Sequence, residues 1–290
     1  MATILDTVGN TPIVELTRMN PNAGVKIYAK LEGNNPGGSV KDRPALNMIR
    51  SALERGQINS DTKLIEATSG NTGIAMALMA NLFNLSIELV MPASSTRERV
   101  LAMRAFGAKV TLLDTMEICR DHVDKKGATG EYFVLNQFAN PDNYLSHYKT
   151  TGPEIWDQTQ QGITHFVSAM GTTGTIMGCS TFLKEKNNRI QIIGCQPTEE
   201  ASIPGIRRWP KEYVPKIFDA SKVDRVMDIS QHEAEETTRQ LAKQEGIFAG
   251  TSSGGAASAA LRLAGELKEG IIVFIVCDRG DRYLSSDLFG

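Results

Sequence analysis

Three short segments rich in glycine, serine and threonine carry the groups best suited to bind anions. They are residues 67–73 (ATSGNTG), 170–175 (MGTTGT) and 250–255 (GTSSGG), and each is expected to follow a strand and precede a helix. The first N–H groups of a helix are unpaired donors at the positive end of its dipole, so such loops can hold a phosphate or a carboxylate. A single loop of this kind is more often a simple turn. Three in one chain indicate a ligand with more than one anionic group.

Nucleotide binding is not supported by these loops, because none matches the GxxxxGK[ST] or the GxGxxG pattern. A second candidate lies in the segment 33–43 (GNNPGGSVKDR), where Lys41 follows a turn and enters a helical stretch. A lysine in such a place is usually solvated at the surface. A desolvated lysine has a lowered pKa and can form a Schiff base with a carbonyl group. The spacing alone leaves both interpretations open.

The elements that must position these residues follow an alternating order from residue 63 onward. Short continuous apolar runs predict buried parallel strands, and the stretches between them have helical patterns, which together indicate an α/β fold. Strands are predicted at 63–67, 87–92, 109–113, 132–137, 165–169, 191–196 and 271–277. Helices are predicted at 71–83, 96–106, 175–186, 233–245 and 254–267. The segments 33–38 and 140–144 are the best candidates for crossings between two lobes.

The composition is that of an ordinary globular protein that works on small molecules. The chain has 290 residues, 41% hydrophobic and 22% charged, with a formal net charge of −2. This balance gives no electrostatic reason to expect nucleic acid or an anionic membrane as a partner. The longest apolar stretch, 74–91, is interrupted by four polar residues and predicts a buried helix followed by a buried strand rather than a membrane span. With no signal peptide visible, a cytoplasmic location is expected.

A metal site and a disulfide framework are both unexpected. The four cysteines (Cys119, Cys179, Cys195 and Cys277) are widely spaced and contain no CxxC pair. The four histidines are scattered as well, without an HExxH motif. Reduced thiols are therefore the default expectation.

From Thr7 almost to its C-terminus, the chain resembles the fold-type-II pyridoxal-phosphate enzymes, and within them the cysteine synthases. Residues 38–43 (GSVKDR) are similar to the family's cofactor-lysine motif, 68–73 (TSGNTG) to its substrate-carboxylate loop, and 171–175 (GTTGT) to its phosphate cup. All three occur in order and at the family's spacing, which makes the resemblance very specific. It implies pyridoxal 5′-phosphate as the cofactor.

The resemblance also implies roles for individual residues. Lys41 would hold the cofactor as a Schiff base and act as the catalytic base. The phosphate would be bound by Gly171, Thr172, Thr173, Gly174 and Thr175. The substrate carboxylate would be bound by Thr68, Ser69, Gly70, Asn71 and Thr72, with help from Gln137. Asn71 would also reach the 3′-oxygen of the cofactor, Cys277 would lie near the pyridine nitrogen, and Ser252 would line the same pocket.

Three features resemble the B-type branch of the cysteine synthases more than the A type. They are Thr173 in the phosphate cup, the segment 277–283 (CDRGDRY) and the segment 203–210 (IPGIRRWP). B-type enzymes accept thiosulfate as well as sulfide, and Arg207 and Arg208 have the guanidinium groups that suit a sulfonate-like dianion. Both arginines are interpreted equally well as surface charges beside a packed tryptophan. Cys277 likewise has two interpretations. It is either a weak hydrogen-bond partner that leaves the pyridine nitrogen of the cofactor unprotonated, or a small buried strand residue.

The family architecture implies a two-lobed fold like that of the tryptophan synthase β-subunit, with the cofactor between the lobes. The smaller, mobile lobe would comprise residues 35–145, and the larger lobe residues 1–34 and 146–290. A homodimer is implied by the resemblance alone. The expected reaction is the formation of L-cysteine or S-sulfocysteine from O-acetyl-L-serine and sulfide or thiosulfate, with release of acetate. A related lyase, such as a serine deaminase, and a non-catalytic regulatory homologue are the alternatives.

Overall fold

Two β-sheets covered by helices make up the computed structural model, which describes residues 1–68 and 70–290. The strands are β1 (Ile13–Glu15), β2 (Val25–Leu31), β3 (Lys63–Ala67), β4 (Ser86–Pro92), β5 (Lys109–Leu113), β6 (Tyr132–Val134), β7 (His165–Ala169), β8 (Gln191–Pro197), β9 (Arg225–Ile229) and β10 (Gly270–Val276). The larger sheet has the order β1-β2-β10-β7-β8-β9, and the smaller has the order β5-β4-β3-β6. Only β1 and β2 pair in antiparallel fashion among the described strands.

The helices connect the strands and cover both faces of the sheets. They are α1 (Asp42–Glu54), α2 (Asn71–Leu82), α3 (Arg97–Ala105), α4 (Met116–Ala128), α5 (Pro141–Lys149), α6 (Thr151–Gln158), α7 (Gly174–Lys186), α8 (Gln231–Gln240) and α9 (Thr251–Glu266). Among residues 1–68 and 70–290, no helix combines the length and the apolar character that crossing a bilayer requires.

Strand β10 lies in the middle of the larger sheet, between β2 and β7. Its sequence, GIIVFIV, is apolar without alternation because both of its faces are buried. Ile272 and Phe274 pack in the cluster that includes α9, whereas Val273 and Ile275 pack in the cluster that includes α7. The predicted α/β fold with a parallel-rich sheet is therefore confirmed.

The predicted elements agree with the structure where the apolar pattern is strong. The apolar stretch 74–91 forms most of α2 and of β4, as expected. One predicted strand is shorter than expected: the strand predicted at 132–137 ends at Val134, because Asn136 adopts a left-handed conformation with φ 54° and turns the chain. The strands β1, β2 and β9 and the helices α4, α5 and α6 were not predicted.

The two sheets are formed by different parts of the chain. The smaller sheet uses strands within residues 63–134, and the larger sheet uses strands within 13–31 and 165–276. The lobe boundaries predicted at residues 35 and 145 thus fall between strands of different sheets. Where the lobes end, and whether they move, remain predictions.

Candidate active site

Lys41 lies at the carboxyl end of β10, immediately before the first residue of α1. The N–H of Val40 donates to the carbonyl of Cys277 at 2.8 Å, and Ser39 forms an isolated bridge with Asp278. Burial lowers the pKa of the Lys41 amine, while the nearby Cys277, Asp278 and Glu32 act in the opposite direction. Lys41 thus has the lowered pKa that a reactive lysine requires, on a residue that is half-buried.

A network of buried charges fixes the first turn of α1 behind Lys41. The guanidinium of Arg43 makes two hydrogen bonds to Glu32, both at 2.7 Å, and two to Glu154, at 2.6 and 2.7 Å. Lys30 donates to Glu154 Oε2 at 2.6 Å and to the carbonyl of Thr11 at 2.7 Å. Two cations and two anions thus neutralise one another, which a buried network requires.

The loop after β3 is held by the hydroxyl of Thr68. Its Oγ1 accepts from the N–H of Gly70 at 3.3 Å and from that of Gly73 at 3.1 Å, so the loop folds around this side chain. A Cβ on Gly73 would come within 2.5 Å of the Thr68 methyl group and 2.6 Å of the methyl carbon of Met103, which explains the glycine. Ser69, predicted to bind substrate, lies outside the described residues.

Asn71, the first residue of α2, is held by two charged residues of the C-terminal segment. Its Nδ2 donates to Asp278 Oδ2 at 2.7 Å, and its Oδ1 accepts from Arg282. Because a carboxylate only accepts and a guanidinium only donates, these partners fix which end of the amide is which. Nδ2 has a second N–H, so the predicted contact with the cofactor oxygen is compatible with this arrangement.

Gln137 lies beside the loop after β3, as the sequence predicted. Its side-chain Oε1 accepts from the hydroxyl of Thr72 at 2.8 Å, which leaves the amide nitrogen as the end that can donate to a ligand. Its backbone carbonyl accepts from Asn143 Nδ2 at 2.6 Å. The same Nδ2 donates to Thr172 Oγ1 at 3.3 Å, so Asn143 connects Gln137 with the predicted phosphate cup.

The predicted phosphate cup, residues 171–175, forms the turn between β7 and α7. Thr173 has the left-handed φ of 68°, and its buried hydroxyl has no hydrogen-bond partner among the described residues. A Cβ on Gly171 would lie 2.6 Å from the carbonyl oxygen of Gly205. An unsatisfied buried hydroxyl beside the N-terminus of a 13-residue helix fits an anion such as a phosphate.

His147, on α5, contacts this cup, although no sequence motif marks it. Its Nε2 lies 3.3 Å from Thr175 Oγ1, and its Nδ1 lies 2.9 Å from Thr151 Oγ1. Burial holds the pKa of His147 well below its usual value, and the positive charges of Arg43 and Lys41 act in the same direction. The imidazole is therefore neutral at pH 7. If Nε2 carries its proton, the Thr175 hydroxyl is free to donate to a phosphate.

Cys277 and Ser252 lie together beside Lys41. Burial raises the pKa of the Cys277 thiol to about 11, although Lys41 and the Ser252 hydroxyl lower it. The thiol is therefore protonated at neutral pH. The segment 250–255 departs from the prediction in two respects. It follows irregular residues, with only an isolated bridge between Ala249 and Arg279, and not a strand. Helix α9 begins at Thr251 and not at residue 254, so most of the predicted loop is the first turn of the helix.

The two arginines proposed for a sulfur donor have different surroundings. Arg207 is exposed, and its N–H donates to the carbonyl of Met170 at 2.9 Å. The guanidinium of Arg208 forms an ion pair with Asp228 at 2.6 Å and donates to the carbonyl of Pro197 at 2.9 Å. Arg207 is thus at the surface, whereas the half-buried Arg208 is already engaged in an ion pair. Trp209 donates to the Gly171 carbonyl at 2.8 Å, which places this segment against the cup.

Together a lysine with a lowered pKa, an unsatisfied hydroxyl at a helix N-terminus and a half-buried thiol fit a ligand with a carbonyl carbon, a phosphate and an aromatic nitrogen. In the part of the chain that the structure describes, no three His, Cys, Asp or Glu side chains come together as a metal site would require. The four cysteines are free thiols.

Comparison with known proteins agrees with this fit. The family model described as "Pyridoxal-phosphate dependent enzyme" matches residues 4–278. The chain belongs to this family. Pyridoxal phosphate is therefore the cofactor of this pyridoxal-phosphate-dependent enzyme, and a two-lobed fold-type-II architecture is its fold class.

Its relatives include proteins of nearly the same length. Cysteine synthase B of Pseudomonas aeruginosa is 58% identical over 290 residues, which cover 99% of this chain and 97% of that protein. Cysteine synthase B of Escherichia coli is 55% identical over 293 residues, covering 100% and 97%. Among solved structures, a cysteine synthase from Entamoeba histolytica superposes with a TM-score of 0.94 at 37% identity, covering 100% of this chain and 90% of that one.

Proposed function

We propose that this enzyme makes L-cysteine from O-acetyl-L-serine and sulfide, releasing acetate, with Lys41 as the catalytic residue. The observation that carries the proposal is the position of Lys41. Its amine is desolvated at the end of the central strand, beside Cys277, and its pKa is lowered. Full-length identities of 55–58% to proteins named cysteine synthase B support the choice of substrates.

The residues around Lys41 would divide the binding of the cofactor among them. Lys41 would hold the aldehyde carbon, Gly171, Thr172, Thr173, Gly174 and Thr175 would hold the phosphate, and Asn71, Ser252 and Cys277 would contact the ring. When bound, the cofactor withdraws electrons from the Cα of the substrate, so that this carbon can lose a proton. The neutral thiol of Cys277 supplies no negative charge to the ring nitrogen, which would limit side reactions of the deprotonated Cα.

The substrate would be oriented by the smaller sheet. The α-carboxylate of O-acetylserine would accept from the loop that contains Thr68, Ser69, Gly70, Asn71 and Thr72. Backbone N–H groups at the start of α2 suit this anion. Because the Thr72 hydroxyl donates a hydrogen bond to Gln137 Oε1, the nitrogen of the Gln137 amide is the end that would donate to the carboxylate. This arrangement would place Cα near Lys41.

Lys41 would then act as the general base, once the amino group of the substrate has replaced it on the aldehyde carbon. Its amine takes the proton from Cα as the C–O bond to acetate breaks, and the sulfur of sulfide forms the new bond at Cβ. The proton returns to Cα, so that the net reaction exchanges acetate for a thiol. A lowered pKa increases the fraction of free amine, which this role requires.

Use of thiosulfate, with S-sulfocysteine as the product, is the finer part of the proposal. The B-type features at Thr173, 203–210 and 277–283 support it. Of the two arginines, exposed Arg207 is the stronger candidate for the anionic donor, since Arg208 is already paired with Asp228. A homodimer in the cytoplasm is proposed on the family resemblance.

The absorption spectrum of the purified holoenzyme tests the function directly. We expect the band of the bound cofactor to shift when O-acetylserine is added and to return when sulfide or thiosulfate follows, with cysteine or S-sulfocysteine formed. Lys41→Ala should abolish the shift. If the band returns with sulfide but not with thiosulfate, the proposed use of thiosulfate is wrong. Formation of pyruvate and ammonia without any sulfur donor would instead identify a deaminase.

A further inference from the structure

Glu66 is a buried carboxylate at the end of β3 for which the reaction described above has no use. Glu66 is only 4% exposed, and it precedes Thr68 of the substrate loop by two positions. Its Oε2 accepts from the N–H of Asn136 at 3.1 Å. The N–H of the next residue, Gln137, also lowers the pKa of this carboxyl group.

The position of Glu66 joins the two loops that form the predicted carboxylate site. β3 and β6 are parallel neighbours, with Ile65 opposite Val134, so the loops that follow them leave the same edge of the sheet. One of these loops contains Thr72 and the other contains Gln137. Their side chains meet at 2.8 Å at the top of the site, and Glu66 connects the same two loops at its base.

The turn that carries Gln137 depends on an acceptor at this place. Asn136 has a left-handed φ of 54°, which directs two successive N–H groups toward the sheet. A buried N–H without an acceptor is costly. An ionised carboxylate offers two acceptor oxygens, whereas a glutamine of the same shape has one acceptor and one donor.

We propose that Glu66 is a positioning residue for substrate binding: by accepting the N–H groups of Asn136 and Gln137, it aligns the Gln137 amide with the carboxylate loop. This inference rests on the proposed role of Gln137 in binding O-acetylserine. Glu66 does not contact the substrate itself, and it acts through the backbone of the neighbouring loop.

The charge of Glu66 is sensitive to pH near neutrality. Burial raises its pKa to about 7, although the N–H groups of Asn136 and Gln137 lower it. Two charged residues of α4 face it, of which Asp124 raises the pKa and Arg120 lowers it. A protonated Glu66 has one acceptor fewer for the turn. The alignment of Gln137 should therefore weaken as the pH falls through about 7.

The test is Glu66→Gln in the holoenzyme, with the steady-state constants for O-acetylserine as the main readout. We expect KM to rise about tenfold, since a hydrogen bond to a charged acceptor is lost, with kcat and the affinity for pyridoxal phosphate changed less than about twofold. The matched control is Glu88→Gln. Glu88 is equally buried in the adjacent strand, but it accepts from Lys109, Lys126 and Thr111, away from the site. It should lower stability without changing KM.

A double-mutant cycle separates positioning from packing. In a Gln137→Ala background, Glu66→Gln should add little to the rise in KM, because the residue through which it acts is gone. A rise of full size in that background would overturn the proposal. So would a KM for Glu66→Gln no higher than that for Glu88→Gln.

A second measurement needs no variant at Glu66, should that variant not fold. The KM of the unmodified enzyme should rise between pH 8 and pH 6, and this rise should be absent in Gln137→Ala; the same rise in both would overturn the inference. If the unmodified enzyme shows no response to O-acetylserine, the proposed function fails and this inference fails with it. A normal response combined with an unchanged KM in Glu66→Gln overturns the inference alone.

Discussion

Asn71 donates a hydrogen bond from Nδ2 to the buried carboxylate of Asp278 at 2.7 Å, which joins the start of α2 to the segment that follows β10. The same oxygen of Asp278 accepts from the hydroxyl of Tyr283 at 2.7 Å. Arg282, from this segment, donates to Asn71 and also to the carbonyl of Gly37. The segment thus contacts both the smaller sheet's first loop and the chain that leads to Lys41.

Removing the Asp278 carboxylate should therefore affect stability and cofactor binding together. Asp278→Ala leaves Asn71 and Tyr283 without their acceptor, and we expect a loss of about 2–3 kcal/mol in the free energy of unfolding. Because the Asn71 amide is then held by Arg282 alone, the affinity for pyridoxal phosphate should fall as well. Urea denaturation and a titration followed by absorbance measure the two effects. A destabilised protein with unchanged cofactor affinity would show that the contact is only structural.

The charge network around Arg43 should dominate the stability of the region behind Lys41. Arg43→Met removes the partner of both Glu32 and Glu154, and a loss of about 3–5 kcal/mol is expected, because two buried carboxylates are left with one cation. The exposed pair of Arg225 and Glu266 is a matched control. Arg225→Met should cost less than about 1 kcal/mol. Similar losses for the two variants in urea denaturation would contradict the importance of burial.

The lowered pKa of Lys41 predicts a gain in stability when its amine is removed from the apoenzyme. Between the folded-state pKa and the usual value of about 10.5, the unfolded chain binds more protons than the folded one, so the stability of the unmodified protein rises with pH in this window. Lys41→Met should therefore unfold later than the unmodified apoenzyme at pH 7. The difference should shrink toward pH 10. Lys63→Met, at an exposed lysine, should show no such gain.

Thr173 offers a way to separate ligand binding from folding. Its buried hydroxyl has no partner in the described protein, so Thr173→Ala removes no internal hydrogen bond and should leave the apoenzyme's unfolding free energy nearly unchanged. If the hydroxyl binds the cofactor phosphate, its removal should weaken pyridoxal phosphate binding by about tenfold. Thr181→Ala, on the same helix, serves as the control for cofactor affinity. Unchanged affinity in Thr173→Ala would exclude this hydroxyl from the phosphate site.

A substitution at Cys277 tests why the enzyme catalyses replacement and not racemisation or transamination. With a pKa of about 11, the thiol is neutral at working pH. Cys277→Asp places a negative charge beside Lys41 and where the ring nitrogen is proposed to bind. We expect more racemisation and transamination relative to cysteine formation, measured by chiral analysis of the products. An unchanged product ratio would support the simpler interpretation of Cys277 as a small packed residue.

The sequence was informative about the groups that face the ligand. Lys41, the loop 68–73 and the loop 171–175 lie in short continuous motifs, and the structure places each of the two loops between a strand and a helix. The strongly apolar strands were also found, because burial on both faces leaves an unbroken apolar run. Elements whose pattern mixes charged and apolar residues, such as β2 and α4, have no such mark and were not predicted.

The supporting residues could not be inferred from local patterns. Asp278 contacts Asn71, 207 residues earlier, and Glu66 contacts Asn136, 70 residues later. A buried charge is recognisable only when its partner is known, and these partners are brought close by sheet topology alone. The orientation of the Arg208 side chain could not be predicted for the same reason, since its partner Asp228 lies on a strand that was not predicted.

The central position of β10 has a consequence for how the enzyme is made. During synthesis, β2 leaves the ribosome more than 200 residues before the strand that will lie between it and β7. Until residue 276 has emerged, the larger sheet has a gap at its centre, and neither Cys277 nor Asp278 has reached Lys41. A nascent chain therefore cannot load its cofactor as it grows. Because such long-range pairing forms slowly, capture of pyridoxal phosphate should be a late event in maturation that follows completion of the sheet.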